Sequence, residues 1–122
     1  MAIKLVYCLT RKSGMSRDAF QRYWLETHAP LVKSHAAALN MRRYVQSHAF
    51  DVAGMGAVGG ARGSPEGYDG VMEGWWDSEA DLAAALTSPE GRAAGLELLE
   101  DERNFIDFAR SPIFMTRENE IF

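Results

Sequence analysis

The chain has 122 residues and a formal net charge of −4 from 13 basic and 17 acidic side chains. That length suits one domain spanning residues 1–122, and the acidic balance excludes the basic face of an ordinary nucleic-acid binder. Hydrophobic residues at 47% exclude a disordered chain, and the single cysteine, Cys8, excludes an internal disulfide or a Cys-rich zinc site. No apolar run is long enough to span a membrane. The apolar stretch near the start is too short for a secretory leader, so the expected compartment is the cytoplasm. Three Trp, four Tyr and six Phe must be buried somewhere in this small chain, in a core, a cavity or a subunit interface.

Residues 3–10 alternate Ile3, Leu5, Tyr7 and Leu9 with Lys4, Val6, Cys8 and Thr10. Both sets carry apolar members, which predicts a strand covered on both faces. After a turn at 11–15, Ser16 fits a helix N-cap and Asp18 suits the first turn. Phe20, Tyr23, Trp24 and Thr27 then form one apolar helical face. Pro30 is expected to break or kink this helix at Ala29, with a second helical piece over 31–39. Residues 41–50 read as the second strand, with Tyr44, Gln46, His48 and Phe50 on one face.

Residues 51–67 hold six of the eleven glycines and read as a loop without helix, either a lid or an interface element. The third strand is 68–76. Ser78 predicts the next N-cap, with Leu82 and Leu86 inward. Ser88 and Pro89 restart a helix at N-cap and N1, with Leu96, Leu99 and Phe105 inward. The last strand covers about 107–117.

The order β-α-β-β-α-β is the ferredoxin-like α+β arrangement, a four-stranded antiparallel sheet with the main helices on one face. Tyr44, His48, Met72, Trp76 and Phe114 are assigned to the other face, which one chain leaves bare. Pairing two sheets face to face would close a barrel, so a homodimer is expected.

Tyr23-Trp24-Leu25-Glu26-Thr27-His28-Ala29-Pro30-Leu31 resembles the YW-x-x-x-H-x-P-L signature of EthD-type proteins, a family of the dimeric α+β barrel superfamily. Asp69 to Trp76 resembles its D-G-x-x-E-x-W strand. Ser88 to Gly91 and Asp101 to Asp107 resemble its second-helix pattern. The resemblance implies the dimeric barrel. Relatives include lactone isomerases, polyketide cyclases, dehydratases and cofactor-free monooxygenases, so the chemistry has to be argued from the site.

His28 leads the candidates. Read as the end of the first helix, it would gain a stabilised imidazolium and move protons near neutrality. The resemblance implies acid–base work for it. Tyr44 could donate a hydrogen bond to a substrate carbonyl or enolate. Trp24, His48, Met72 and Trp76 are expected to line the substrate pocket between sheet and helices. Trp75 and Trp76, being adjacent on a strand, face opposite sides. Asp69 and Glu73 share the parity of Trp75 and fit salt bridges better than a catalytic pair.

His28, His35 and His48 lack metal-ligand spacing, so no metal and no cofactor are expected. Gly54 to Gly59 spells G-x-G-x-x-G but lacks the strand–helix setting of a dinucleotide site. Cys8 reads as an inert structural thiol. The expected function is cofactor-free isomerisation, cyclisation or dehydration of a small apolar or aromatic molecule. The alternatives are a non-catalytic ligand-binding accessory protein of a catabolic pathway and a cofactor-free or haem-linked oxygenase.

Overall fold

The computed structural model describes residues 2–122. Strand β1 is Ile3–Leu9. Helix α1, Arg17–Tyr23, runs without a break through a π-helical turn, Trp24–His28, into α2, Ala29–His35. Strand β2 is Arg43–His48, α3 is Met55–Gly60 and β3 is Gly70–Trp76. Helices α4, Glu79–Thr87, and α5, Pro89–Glu102, follow, then a short 3-10 turn at Phe108–Arg110 and β4, Ile113–Thr116. The strands order as β2-β3-β1-β4 and every pairing is antiparallel, as the ferredoxin-like reading requires.

Serine starts three helices. Ser16 Oγ accepts from Ala19 N at 3.1 Å, Ser78 Oγ from Asp81 N at 3.1 Å, and Ser88 Oγ from Gly91 N at 3.0 Å. Each bond satisfies an N–H that has no partner within its helix.

Pro30 does not break the helix. Proline has no N–H to give to the carbonyl four residues back, and its ring crowds that carbonyl. The backbone widens by one residue instead, so Ala29 N–H bonds to the carbonyl of Trp24. His28 therefore sits inside a continuous helical stretch, and the argument from a helix C-terminus does not hold.

Cross-strand register corrects the facing of the sheet. Ile3 pairs with Trp76, Tyr7 with Met72, Gln46 with Met72, and His48 with Gly70. These residues and Tyr44 share the face that packs on the helices, whereas Phe114, opposite Val6, lies on the open face. Strand alternation separates two sets of side chains but does not say which set meets the helices. The core is Leu9, Phe20, Trp24, Met72, Phe105 and Ile106, built around tilted aromatic contacts 5.5 to 5.7 Å apart from Phe20 to Phe105 and Trp24. Burying each large ring contributes about 1.5–3 kcal/mol.

Three inward assignments change. Leu86, Leu96 and Leu99 are exposed, and Ala85, Gly91 and Ala94 are buried in their place, because α4 and α5 pack too closely for larger residues. A side chain at Gly91 would drive into the Ala85 carbonyl. Phe105 is fully buried as expected. Phe50 lies past the end of β2 and is exposed, and the last strand is shorter than expected.

The glycine-rich segment does contain a helix, the six-residue α3, entered through Gly54 at φ 90. It follows β2, but β3 after it runs antiparallel to β2, so there is no βαβ unit and no dinucleotide site is restored.

Candidate functional site

The helix-facing side of the sheet encloses a cavity of about 40 Å³. Tyr7 and Met72 come from the sheet, Trp24, His28 and Val32 from the long helical stretch, and Leu98 and Glu102 from α5. Val32, Met41 and Tyr44 also line an open groove of about 330 Å³ beside α2. The three form a common wall, and the flexible Met41 is its most movable member. The two spaces are separate in this structure, and a substrate would need Met41 to swing aside and join them before they reach the size of a small-molecule pocket.

His28 is 5% exposed. Its Nδ1 lies 2.7 Å from Asp101 Oδ2. Asp101 is pushed upward by burial, but hydrogen bonds from Tyr23 and His28 outweigh this and hold its carboxyl below the usual range. The Tyr23 hydroxyl donates to Asp101 Oδ1 at 2.6 Å. An ionised carboxylate only accepts, so Nδ1 carries the proton and neutral His28 presents a bare Nε2 lone pair. Burial, partly opposed by Asp101, lowers the His28 pKa and keeps the ring neutral near pH 7. This is the electronic state of a base, reached by a different cause from the one expected.

Nε2 of His28 lies 4.0 Å from Glu102 Oε2. Burial raises the Glu102 carboxyl to about 7, against hydrogen bonding with Tyr7. A buried neutral imidazole beside a buried carboxyl that titrates near neutrality is the equipment of proton transfer. Burial also raises Tyr44, to about 12, so its hydroxyl stays protonated at neutral pH.

Of the residues expected from sequence, His28, Tyr44, Trp24 and Met72 meet at the cavity wall. His48 stands behind Trp24, stacked at 4.5 Å between ring centroids, and does not line the space. Trp76 is also off the wall, with its indole N–H donated to the Leu39 carbonyl at 2.6 Å. Residues 51–67 do not line the cavity. Asp69 accepts from the Arg11 backbone N–H at 2.8 Å and from its guanidinium at 2.6 Å, and Glu73 pairs with Lys4 at 2.7 Å. Both carboxylates are structural ion pairs.

Sequence reasoning missed Tyr7, Asp101 and Glu102. The available signal was the acidic pair inside the stretch 101–107, whose spacing turns Asp101 and Glu102 toward the face of α5 that carries Ala94 and Leu98. Among the described residues, no group of three His, Cys, Asp or Glu side chains is arranged to hold a metal ion. Likewise, none of the described helices is long and apolar enough to cross a membrane.

A family model described as the EthD domain matches residues 12–109. None of the curated proteins matches the sequence. Among solved structures, an EthD family protein from Bacillus halodurans is 18% identical with a TM-score of 0.65, covering 98% of this chain and all of that one. SnoaB, a cofactor-independent oxygenase from Streptomyces nogalater, is 13% identical with a TM-score of 0.60, over 98% of this chain and 94% of that one. A dimeric ferredoxin-like protein of unknown function from Thermobifida fusca is 16% identical with a TM-score of 0.58, over 95% and 90%. At these identities the likeness is one of fold.

Proposed function

This chain belongs to the EthD domain family, and we propose that it is a small-molecule enzyme. It takes an apolar or aromatic substrate and performs cofactor-free acid–base chemistry: isomerisation, cyclisation or dehydration. The observation that carries this is the His28 imidazole, fixed to Asp101 at 2.7 Å with its free nitrogen toward Glu102 in an apolar cavity. His28 accepts a proton through Nε2. Glu102, balanced near neutrality, receives or returns it. Tyr44 hydrogen-bonds the substrate, and Trp24 and Met72 shape the walls. His48 supports the wall from behind by stacking on Trp24.

The working unit we propose is a homodimer. The open face carries Val6, Val45, Val71, Trp75 and Phe114, and Phe114 is 48% exposed. A sheet face of this kind normally finds a cover. The Thermobifida fusca protein with this fold is described as dimeric.

His28→Ala should lower turnover of a substrate at least about 100-fold while leaving the fold intact. Full turnover by that variant contradicts the assignment. A second reading, cofactor-independent oxygenation, is favoured by the fold shared with SnoaB. Oxygen consumption coupled to turnover would support it, and turnover at an unchanged rate under argon would contradict it. Binding with no turnover of any ligand would identify an accessory protein instead.

A further inference from the structure

The direction of every hydrogen bond behind Tyr44 follows from one carbonyl. Gln46 Nε2 lies 3.0 Å from the Trp24 backbone oxygen, which only accepts. The amide nitrogen must therefore occupy that position, and the amide oxygen faces His48 Nε2 at 2.8 Å. An amide oxygen only accepts too, so His48 holds its proton on Nε2. Stacking on Trp24 at 4.5 Å keeps that ring in place. The second hydrogen of the Gln46 amide points to the Tyr44 hydroxyl oxygen at 2.9 Å. The Tyr44 oxygen is thus an acceptor on this side. Its own proton is turned away from Gln46, toward the cavity that Tyr44 lines.

We infer that Gln46 and His48 are positioning residues that hold Tyr44 as a hydrogen-bond donor into the cavity, and that the ligand class is an enolisable carbonyl compound. This rests on the proposed function of the same site. The two walls are chemically opposite. Tyr44 offers a proton, while His28 Nε2 and ionised Glu102 offer lone pairs. A carbonyl oxygen fits the first wall and an acidic α-carbon fits the second.

The step this supports is balanced without an oxidant. The α C–H bond breaks and its proton goes to His28 Nε2. The electron pair becomes the new C=C bond while the carbonyl π pair moves to oxygen, where Tyr44 holds the enolate. In a β,γ-unsaturated carbonyl the pair extends over the second C=C as a dienolate. Return of the same proton to the γ-carbon moves the double bond into conjugation and completes an isomerisation. The apolar walls from Leu9, Trp24, Met72, Leu98 and Ile106 suit a ring or a short hydrocarbon frame.

Nitrogen-15 NMR of the full-length wild-type protein at pH 8 tests the device without a ligand. His48 is expected as the Nε2–H tautomer, and the Nδ1–H tautomer overturns the inference. Acetophenone then serves as the probe. Its C=O stretch should move to lower frequency in the wild type. Gln46→Glu places a carboxylate that accepts the Tyr44 proton, so the shift should vanish, as in Tyr44→Phe. An unshifted stretch in the wild type, or a shift unchanged in Gln46→Glu, overturns the inference. Exchange of the acetophenone methyl protons in D2O reads the chemistry separately. It should fall at least tenfold in Gln46→Glu and in His28→Ala. A shifted stretch with no exchange in the wild type would leave the donor in place and refute the proposed enzyme.

Discussion

The two faces of one sheet handle their polar groups in opposite ways. On the helix-facing side, His28, Tyr44, Gln46 and Glu102 sit among buried rings, and each polar atom has a designated partner or faces the cavity. On the open side, Lys4 pairs with Glu73 at partly buried positions and the exposed Arg43 guanidinium lies 4.5 Å over the Trp75 ring, both between apolar residues. Burial on the first face shifts the protonation of its groups and makes chemistry possible. On the second, solvent screens the charges, and the apolar residues between them ask for a partner. On the proposed reading, one face is the reaction vessel and the other a wall awaiting its counterpart.

The sharpest way to break this contrast is to remove a ring from the closed face. Trp24→Ala should cost about 3–5 kcal/mol of stability in denaturant unfolding, because it opens a hole in the core and releases His48. A loss under about 1 kcal/mol would mean that this face is not the packed one.

Next in size is the buried carboxyl. Glu102 titrates at about 7 in the folded chain, above an unfolded value near 4.5. The folded state therefore holds more protons between these values, and stability falls as pH rises through that window. Glu102→Gln should recover on the order of 3 kcal/mol at pH 8 and almost none at pH 4.5. Urea midpoints at the two pH values check this, and an equal effect at both would contradict it. His28 acts in the other direction: its pKa is lowered, so the stability from keeping it neutral is lost as pH falls below about 6.5.

On the open face, Phe114→Asp should weaken self-association at least tenfold, about 1.4 kcal/mol, with an unchanged circular dichroism spectrum. Sedimentation showing identical dimers for both proteins would remove Phe114 from the interface. The smallest effect belongs to the Lys4–Glu73 pair. Lys4→Met should change stability by less than about 1 kcal/mol, and the change should shrink further in high salt.

The strand order and the serine caps at Ser16, Ser78 and Ser88 were legible in the sequence, which also singled out His28 and Tyr44, two residues that line the cavity. The facing of the sheet was not. β1 carries apolar residues on both parities, so alternation alone left two solutions, and contact with Phe20 and Trp24 decided between them. The π-turn was hidden because Pro30 states only that a standard helical bond is missing, not whether the chain stops or widens. Glu102 escaped notice because a carboxylate on a helix is ordinarily a solvated one. Only the fold shows that it lies over Tyr7 and His28. Gln46 passed as a neutral strand residue, since its importance lies in which way its amide is turned.

The central claim is that the cavity around His28, Glu102 and Tyr44 is where a small molecule is bound and deprotonated. Nitrogen-15 NMR of the histidine side chains during titration with acetophenone tests it most directly. The account predicts that the His28 Nε2 resonance moves on binding, in wild type and in Phe114→Asp alike. Resonance changes confined to His35, with His28 unmoved at saturation, would contradict it.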